Sequence, residues 1–393
     1  MRGKQTHYIF SINISTIIKG SLIFMISLLS VFSIVGLLTA LKYEYRLSSN
    51  SVNAATEHVK GETLYHLFAM ENKLFSAIAP TDSPVPSVSE LAFQFATNIR
   101  LQDPRSLLGR ELPGFSIFDG KILVAGEGTN YTNIPIESQP PKEALDASND
   151  ASLTNTDKIT EKDDEKKEPP ALTTGGKKRV YLYFTHTRES YLPHLKGVTD
   201  PDAATHSTLN VTKVGDMLRE ELEDQGIGTH VDKTDIVDQL QKSGLNYSRS
   251  YQQSRAVVAA AQSSQKDLQY FIDIHRDSLR KDVTTATING KSYAKLVFVV
   301  GAEHPNYEKN AELASDLHEL LEKKYKGLSR GVILKKGKNT NGKFNQDLSE
   351  NAMLVEFGGV DNTFEELNRT AEAFADVFAE YYWQAEQVNA EGK

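Results

Sequence analysis

The sequence predicts an α/β protein whose C-terminal half folds around a largely parallel sheet flanked by helices, preceded by one transmembrane helix, a small mixed region and a disordered linker. Three observations carry this reading. Residues 20–41 form an apolar run without a charged residue between Lys19 and Lys42. Residues 132–180 hold no aromatic residue and include the charge-dense stretch TDKITEKDDEKKEPP. After residue 177 short apolar runs alternate with amphipathic segments, the pattern of an α/β domain.

Residues 1–19 read as a short cytoplasmic N-terminus and 20–41 as a membrane anchor, because a helix rising about 1.5 Å per residue covers roughly 30 Å of hydrocarbon in that length. Arg2, Lys4 and Lys19 precede the run and favour a cytoplasmic N-terminus with the remainder outside, although Lys42 and Arg46 weaken the bias. The alternative is a cleaved signal peptide with its scissile site near Val52, Asn53 and Ala54, but the run exceeds the roughly 7–15 residues of a signal core. Residues 42–136 contain helical-looking segments at 54–78 and 88–99 and a strand-like stretch at 116–125. No catalytic constellation occurs there, so the region reads as an extracytoplasmic spacer or partner-binding region. Residues 137–176 read as a flexible linker, since acidic residues interleave with its lysines and make a solvated tether rather than a basic patch.

Residues 177–388 form the expected catalytic domain. Strands are expected at 179–185 (RVYLYFT), 269–274, 296–300 and 353–357, and helices at 208–224, 248–261, 310–325 and 363–382. In the first of these helices Leu209, Val214, Met217, Leu218 and Leu222 recur at helical spacing, and in the third Leu313, Leu317, Leu320 and Leu321 share a face.

Composition narrows the function. The chain has 393 residues, a net charge of -8 and no cluster of Lys and Arg, which argues against nucleic acid as a partner. It has no cysteine, so disulfides, thiolate metal sites and a cysteine nucleophile are excluded, and His, Asp and Glu are the remaining metal ligands. Three such groups fall where expected strands end: His186 after the first, His275 after the next, and Glu356 within MLVEFGG near the end of the last. A doubly wound sheet binds its ligand at those carboxyl ends. Glu189, three residues after His186, brings a carboxylate within reach of the same ion, and two imidazoles with one carboxylate leave zinc an open position for water. Glu356 is then the general base.

Bland readings stand beside these. A single His at a strand end is more often structural, Glu189 could cap a helix or pair with Arg188, and glycine pairs such as Gly358 and Gly359 often mark turns as well as close approach of a ligand. Asp273 and Asp277 flank His275 and could orient its ring or pair with Arg276. His194, His206, His230, His304 and His318 have no partner at telling spacing and are assigned to the surface.

The segments YFTHTRESY, VDKTDIVDQL with GLNYSRSY, FIDIHRDS and MLVEFGGVDNT resemble the stage II sporulation protein P family over about residues 179–382. That family is itself similar to zinc-dependent N-acetylmuramoyl-L-alanine amidases, and by motif the resemblance implies Zn2+ held by His186, Glu189 and His275, with Glu356 assisting. It further implies a zinc-amidase-like fold and peptidoglycan as substrate during engulfment in sporulation. A second, endopeptidase activity on cross-links and partners including a lytic transglycosylase and a membrane protein are also implied, with the domain facing the cell wall outside the cell membrane. Where the family's first strand often ends His-Thr-His-Thr, this chain has Phe184-Thr185-His186-Thr187, so no role is expected at position 184. The rival enzyme reading is a zinc carboxypeptidase, which would use an arginine such as Arg255, Arg276 or Arg280 for a terminal carboxylate. The non-enzymatic reading is a wall-binding scaffold.

Overall fold

A computed structural model describes residues 24–25, 29–30, 120–146, 170–337 and 340–391. The chain divides into two compact units, Met1–Leu107 and Leu108–Lys393. The expected anchor at 20–41 lies outside the described residues except for positions 24–25 and 29–30, which are helical and exposed. Among the described residues no helix is long and apolar enough to cross a membrane.

The second unit is a mixed α/β structure built on one seven-stranded sheet. Its central strands are β2 (Val180–Tyr183), β4 (Tyr270–Asp277), β7 (Leu296–Gly301) and β9 (Ala352–Gly359), buried along their whole length. Continuous burial is what strands covered on both faces require, and it explains their unbroken apolar runs. Shorter or more exposed strands complete the sheet: β1 (Lys121–Ala125), β3 (Thr229–Val231) and β8 (Ser329–Lys335), in the order β1-β8-β7-β9-β4-β2-β3. The neighbours β3–β2, β2–β4, β4–β9 and β7–β8 are parallel, whereas β7–β9 and β1–β8 are antiparallel. The sheet is therefore mixed, with its parallel half carrying the expected site. A separate hairpin, preceded by the one-turn helix α5 (Lys281–Thr284), pairs β5 (Thr285–Ile288) with β6 (Lys291–Ala294).

Helices cover both faces. On one face α2 (Thr212–Asp224), α6 (Tyr307–Lys324) and α7 (Phe364–Glu391) join the main core, in which Val214, Leu218, Leu313, Leu317, Phe374 and Phe378 meet Leu182, Ile272, Phe298 and Val355. On the other, α4 (Ser250–Ser264) sets Val258 and Ala261 against Tyr181, Tyr183 and Phe271, beside the short α3 (Ile236–Lys242). Alternation along each strand follows from the pleat. Asp273 and His275 thus project from β4 on the α4 side, as does Glu356 from β9, its flanking Val355 and Phe357 lying in the main core.

Two sequence expectations change. The strand expected at 116–125 was assigned to the spacer, yet β1 is an edge of the sheet, and residues 126–146, ending in the short helix α1 (Lys142–Asp146), stay bonded to this domain. Gln139 N donates to Asp202 Oδ1, Thr205 Oγ1 to Ala144 O and Arg188 Nη1 to Leu145 O. The tether assigned to 137–176 therefore has both ends fastened, since Thr174 at its far end bonds Gly226 and Gly228. Beneath this N-terminal segment lies a buried ion pair, Arg330 Nη1 to Asp277 Oδ2 at 2.6 Å. Removing one partner of such a pair strands the other charge and costs about 3–5 kcal/mol.

Candidate metal centre

β2 ends at Tyr183, and the chain turns at once over residues 185–188, with Glu189 N bonded back to His186 O. This turn, rather than a helix, brings His186 and Glu189 to one side. Glu189 is held beyond the turn by a bridge to Thr205 and by Val211 N, which donates to its carbonyl. Arg188 pairs with Asp235 and leaves the Glu189 carboxylate alone. His275 lies inside β4, two residues before its end rather than after it, and is the direct register partner of Glu356 on β9.

The ligand atoms of His186, Glu189 and His275 lie within 4.8 Å of one another. All three side chains are buried, at 4%, 2% and 0% exposure, as is Glu356 at 2%. His186 Nδ1 is 3.4 Å from Glu189 Oε1, and His275 Nδ1 is 3.5 Å from Glu189 Oε2. These separations fall within ion-pair reach, but neither imidazole is aligned for a hydrogen bond: His186 Nδ1, both His275 nitrogens and Glu189 Oε1 have no hydrogen-bond partner. Buried polar atoms without partners are costly, and a cation between His186 Nδ1, His275 Nδ1 and Glu189 Oε1 would satisfy those three, with His275 Nε2 left facing Asp273. Two imidazoles and a carboxylate also form a donor set suited to zinc. The residues present fit the metal.

The buried charges offset one another. Burial pushes the Glu189 carboxyl up, but the His186 and His275 imidazoles beside it more than offset this and hold it well below the usual carboxylate range. Burial disfavours charge on His275, yet the Asp273 and Glu189 carboxylates outweigh it and raise the imidazole well above its ordinary value. Glu356 is raised well above a normal glutamate, chiefly by burial, with His275 pulling it down and Asp277, Glu189 and Glu137 adding to the rise. Its Oε2 is buried without a partner.

Of the two roles left open for the flanking aspartates, Asp273 takes the place beside the His275 ring and neither pairs with Arg276. Asp273 Oδ1 lies 3.1 Å from His275 Nε2, and its carboxylate is fixed by Thr185 N and Thr185 Oγ1 at 2.8 and 2.6 Å. Asp277 pairs with Arg330, while the buried Arg276 guanidinium spends its donors on Ser138 and on the carbonyls of Ser190, Pro201 and Ala204. Gly358 and Gly359 serve the chain itself: Gly358 has φ +66, and a side chain at Gly359 would meet Leu279 O at 2.3 Å.

Sequence reasoning passed over the aromatic wall. Tyr247 stacks on the His186 ring at 4.9 Å, and Tyr251 packs edge-on to His186 at 5.4 Å and parallel to His275 at 6.2 Å. Both lie in the GLNYSRSY motif, whose tyrosines were the available signal. Glu137 meets this wall through Tyr251 from 114 residues away in sequence, a contact with no local signature.

A profile of the stage II sporulation protein P family matches residues 102–379, a span that takes in the whole sheet and each of these residues. The chain is 52% identical over 394 residues to stage II sporulation protein P of Bacillus subtilis (strain 168), covering 99% of this chain and 98% of that protein. With a match over most of its length and a full-length relative at that identity, the chain belongs to the stage II sporulation protein P family, and its function lies in sporulation.

Proposed function

We propose that this sporulation protein is a zinc-dependent peptidoglycan hydrolase, an N-acetylmuramoyl-L-alanine amidase that cleaves the amide between N-acetylmuramic acid and the stem peptide. The observation that supports it most is the convergence of His186, Glu189 and His275, with His186 Nδ1, His275 Nδ1 and Glu189 Oε1 buried and unpartnered, beside Glu356, whose Oε2 is buried and unpartnered. In this reading His186, Glu189 and His275 hold the ion. Bound zinc supplies Lewis-acid chemistry, acidifying water toward a pKa of about 7 and polarising a carbonyl.

The chain's own groups do the rest. An amide leaves poorly unless its nitrogen is protonated, so a proton must move from the attacking water to the departing amine. Glu356 Oε2 is a buried oxygen without a hydrogen-bond partner on the strand residue paired with His275, and in this reading it takes the water proton and returns it to the amine. Asp273 keeps the His275 ring turned toward Glu189. Tyr247 and Tyr251 cover the imidazoles and keep bulk water from them.

The arginines weigh against the carboxypeptidase reading. Arg255 makes a two-bond contact with Asp347, Arg276 is consumed by buried carbonyls, and Arg280 pairs with Asp361, so none is held ready for a terminal carboxylate. We further propose that residues 20–41 anchor the chain with this domain on the wall side of the membrane. Cross-link endopeptidase activity and action beside a lytic transglycosylase and a membrane partner complete the reading, on the strength of the family relationship.

The test is mass spectrometry of purified peptidoglycan after incubation with the full-length protein, with and without a chelator, beside Glu356→Gln. We expect stem peptides with a free N-terminal alanine, lost with the chelator and reduced about 10²–10⁴-fold in the variant while its metal content stays unchanged. Release of only a terminal residue would favour the carboxypeptidase. Absence of cleavage by folded, metal-loaded protein, alone and with the transglycosylase, would point to a scaffold.

A further inference from the structure

The HRDS run at the end of β4 carries three polar residues beyond His275, and all three act on one short segment. Arg276 Nη1 donates to Ser138 Oγ at 2.7 Å, Asp277 Oδ1 accepts from Ile136 N at 3.1 Å, and Ser278 Oγ donates to Ile136 O at 2.7 Å. Arg330, paired to the other oxygen of Asp277, donates to Asn133 O as well. Ile134 is buried against Val297 and Ile333 on the same face of the sheet as Glu356. The segment from 133 to 138 is thus gripped at every residue around Glu137.

What this grip presents is the Glu137 carboxylate, whose Oε1 accepts the Tyr251 hydroxyl at 2.9 Å. Tyr251 is braced by two further residues. Phe344 meets it edge-on at 5.3 Å, and Asn345 Nδ2 donates to the Tyr251 carbonyl. Phe344 and Asn345 both hold positive φ, at +52 and +57, a region that bulky residues rarely adopt and that persists only where the surroundings enforce it. A tyrosine clamped at its hydroxyl, ring and backbone lies against both candidate ligand imidazoles.

We propose that Glu137 is a positioning residue of the metal centre: by holding the Tyr251 hydroxyl it fixes the ring that packs on His186 and His275, which makes residues 133–138 part of the catalytic domain. The inference rests on the metal reading of that site. Its bland rival is a surface strap contact with no bearing on the imidazoles.

The test uses full-length wild type, Glu137→Ala, Glu137→Gln, Tyr251→Phe and the Glu137→Ala/Tyr251→Phe double variant, each loaded with cobalt(II). The visible spectrum reports ligand geometry without turnover, and kcat and KM are measured on a muramyl-peptide substrate. The expected result is a shifted cobalt spectrum and a fall in kcat of about tenfold or more in Glu137→Ala and in Tyr251→Phe, with KM nearly constant. The double variant should be no worse than either single one, because both break the same link. Glu137→Gln keeps an acceptor oxygen and should stay near wild type. A wild type that cleaves and binds cobalt beside a Glu137→Ala spectrum and kcat unchanged, or additive losses in the double variant, would overturn the positioning role alone. A folded wild type that takes up no cobalt would sink the metal reading and this inference with it.

Discussion

His275 has a carboxylate on each side, Glu189 toward Nδ1 and Asp273 toward Nε2. A ligating imidazole is oriented and made more basic by the partner of its second nitrogen, and loss of that partner typically costs about 10–100-fold in metal affinity. Asp273→Asn should therefore weaken zinc binding by about that factor, read by competition with a chromophoric chelator, while His194→Gln, away from the site, leaves it unchanged. At this scale the four candidate residues were legible because each stands out against an apolar run or sits three positions from a partner. Histidines without such context were misread. His194, His304 and His318 are buried rather than at the surface; for His194 Nε2 and His318 Nδ1 a single long-range partner, Phe364 N at 3.0 Å and Ser329 Oγ at 2.7 Å, is invisible to sequence. Phe184 packs in the main core beside Gly215.

Among the elements, the long helices and central strands follow from periodicity, with ends displaced by up to four residues, except that α7 runs nine residues past its expected end. The short pieces do not. β3 and α3 span too few residues to show a period, and β8 opens with Ser329, Arg330 and Gly331, its charge buried only because Asp277 waits across the sheet. The N-terminus of α7 shows another long-range device: Phe364 N donates to His194 Nε2 at 3.0 Å, and the two rings stack at 4.2 Å. The accepting nitrogen must be unprotonated, and burial lowers His194 from 6.5 to about 4. Since the folded value lies below the unfolded one, this contribution is complete above about pH 6.5 and disappears as the pH falls toward 4. Denaturation of wild type and His194→Gln across that window should show wild type losing roughly 2–4 kcal/mol more than the variant. Equal losses would show that His194 does not carry the effect.

Over the whole second unit, the mixed sheet separates support from chemistry. One face is filled by α2, α6 and α7, and the other carries α4, the tyrosines and the ligand candidates at the carboxyl ends of parallel strands. The other half, where β7 runs antiparallel to β9 and β1 antiparallel to β8, brings the chain that precedes the linker back onto that second face. Composition marked that return segment as tether because it is short of aromatics, and only its partners 140 or so residues away give it order. Zinc-edge X-ray absorption on the zinc-loaded full-length protein tests the central claim most directly. The account predicts two nitrogens at about 2.0–2.1 Å and oxygens at about 2.0–2.2 Å, with the nitrogen contribution halved in His275→Ala. A protein that retains no zinc, or one whose zinc environment is unchanged by His275→Ala, would contradict it.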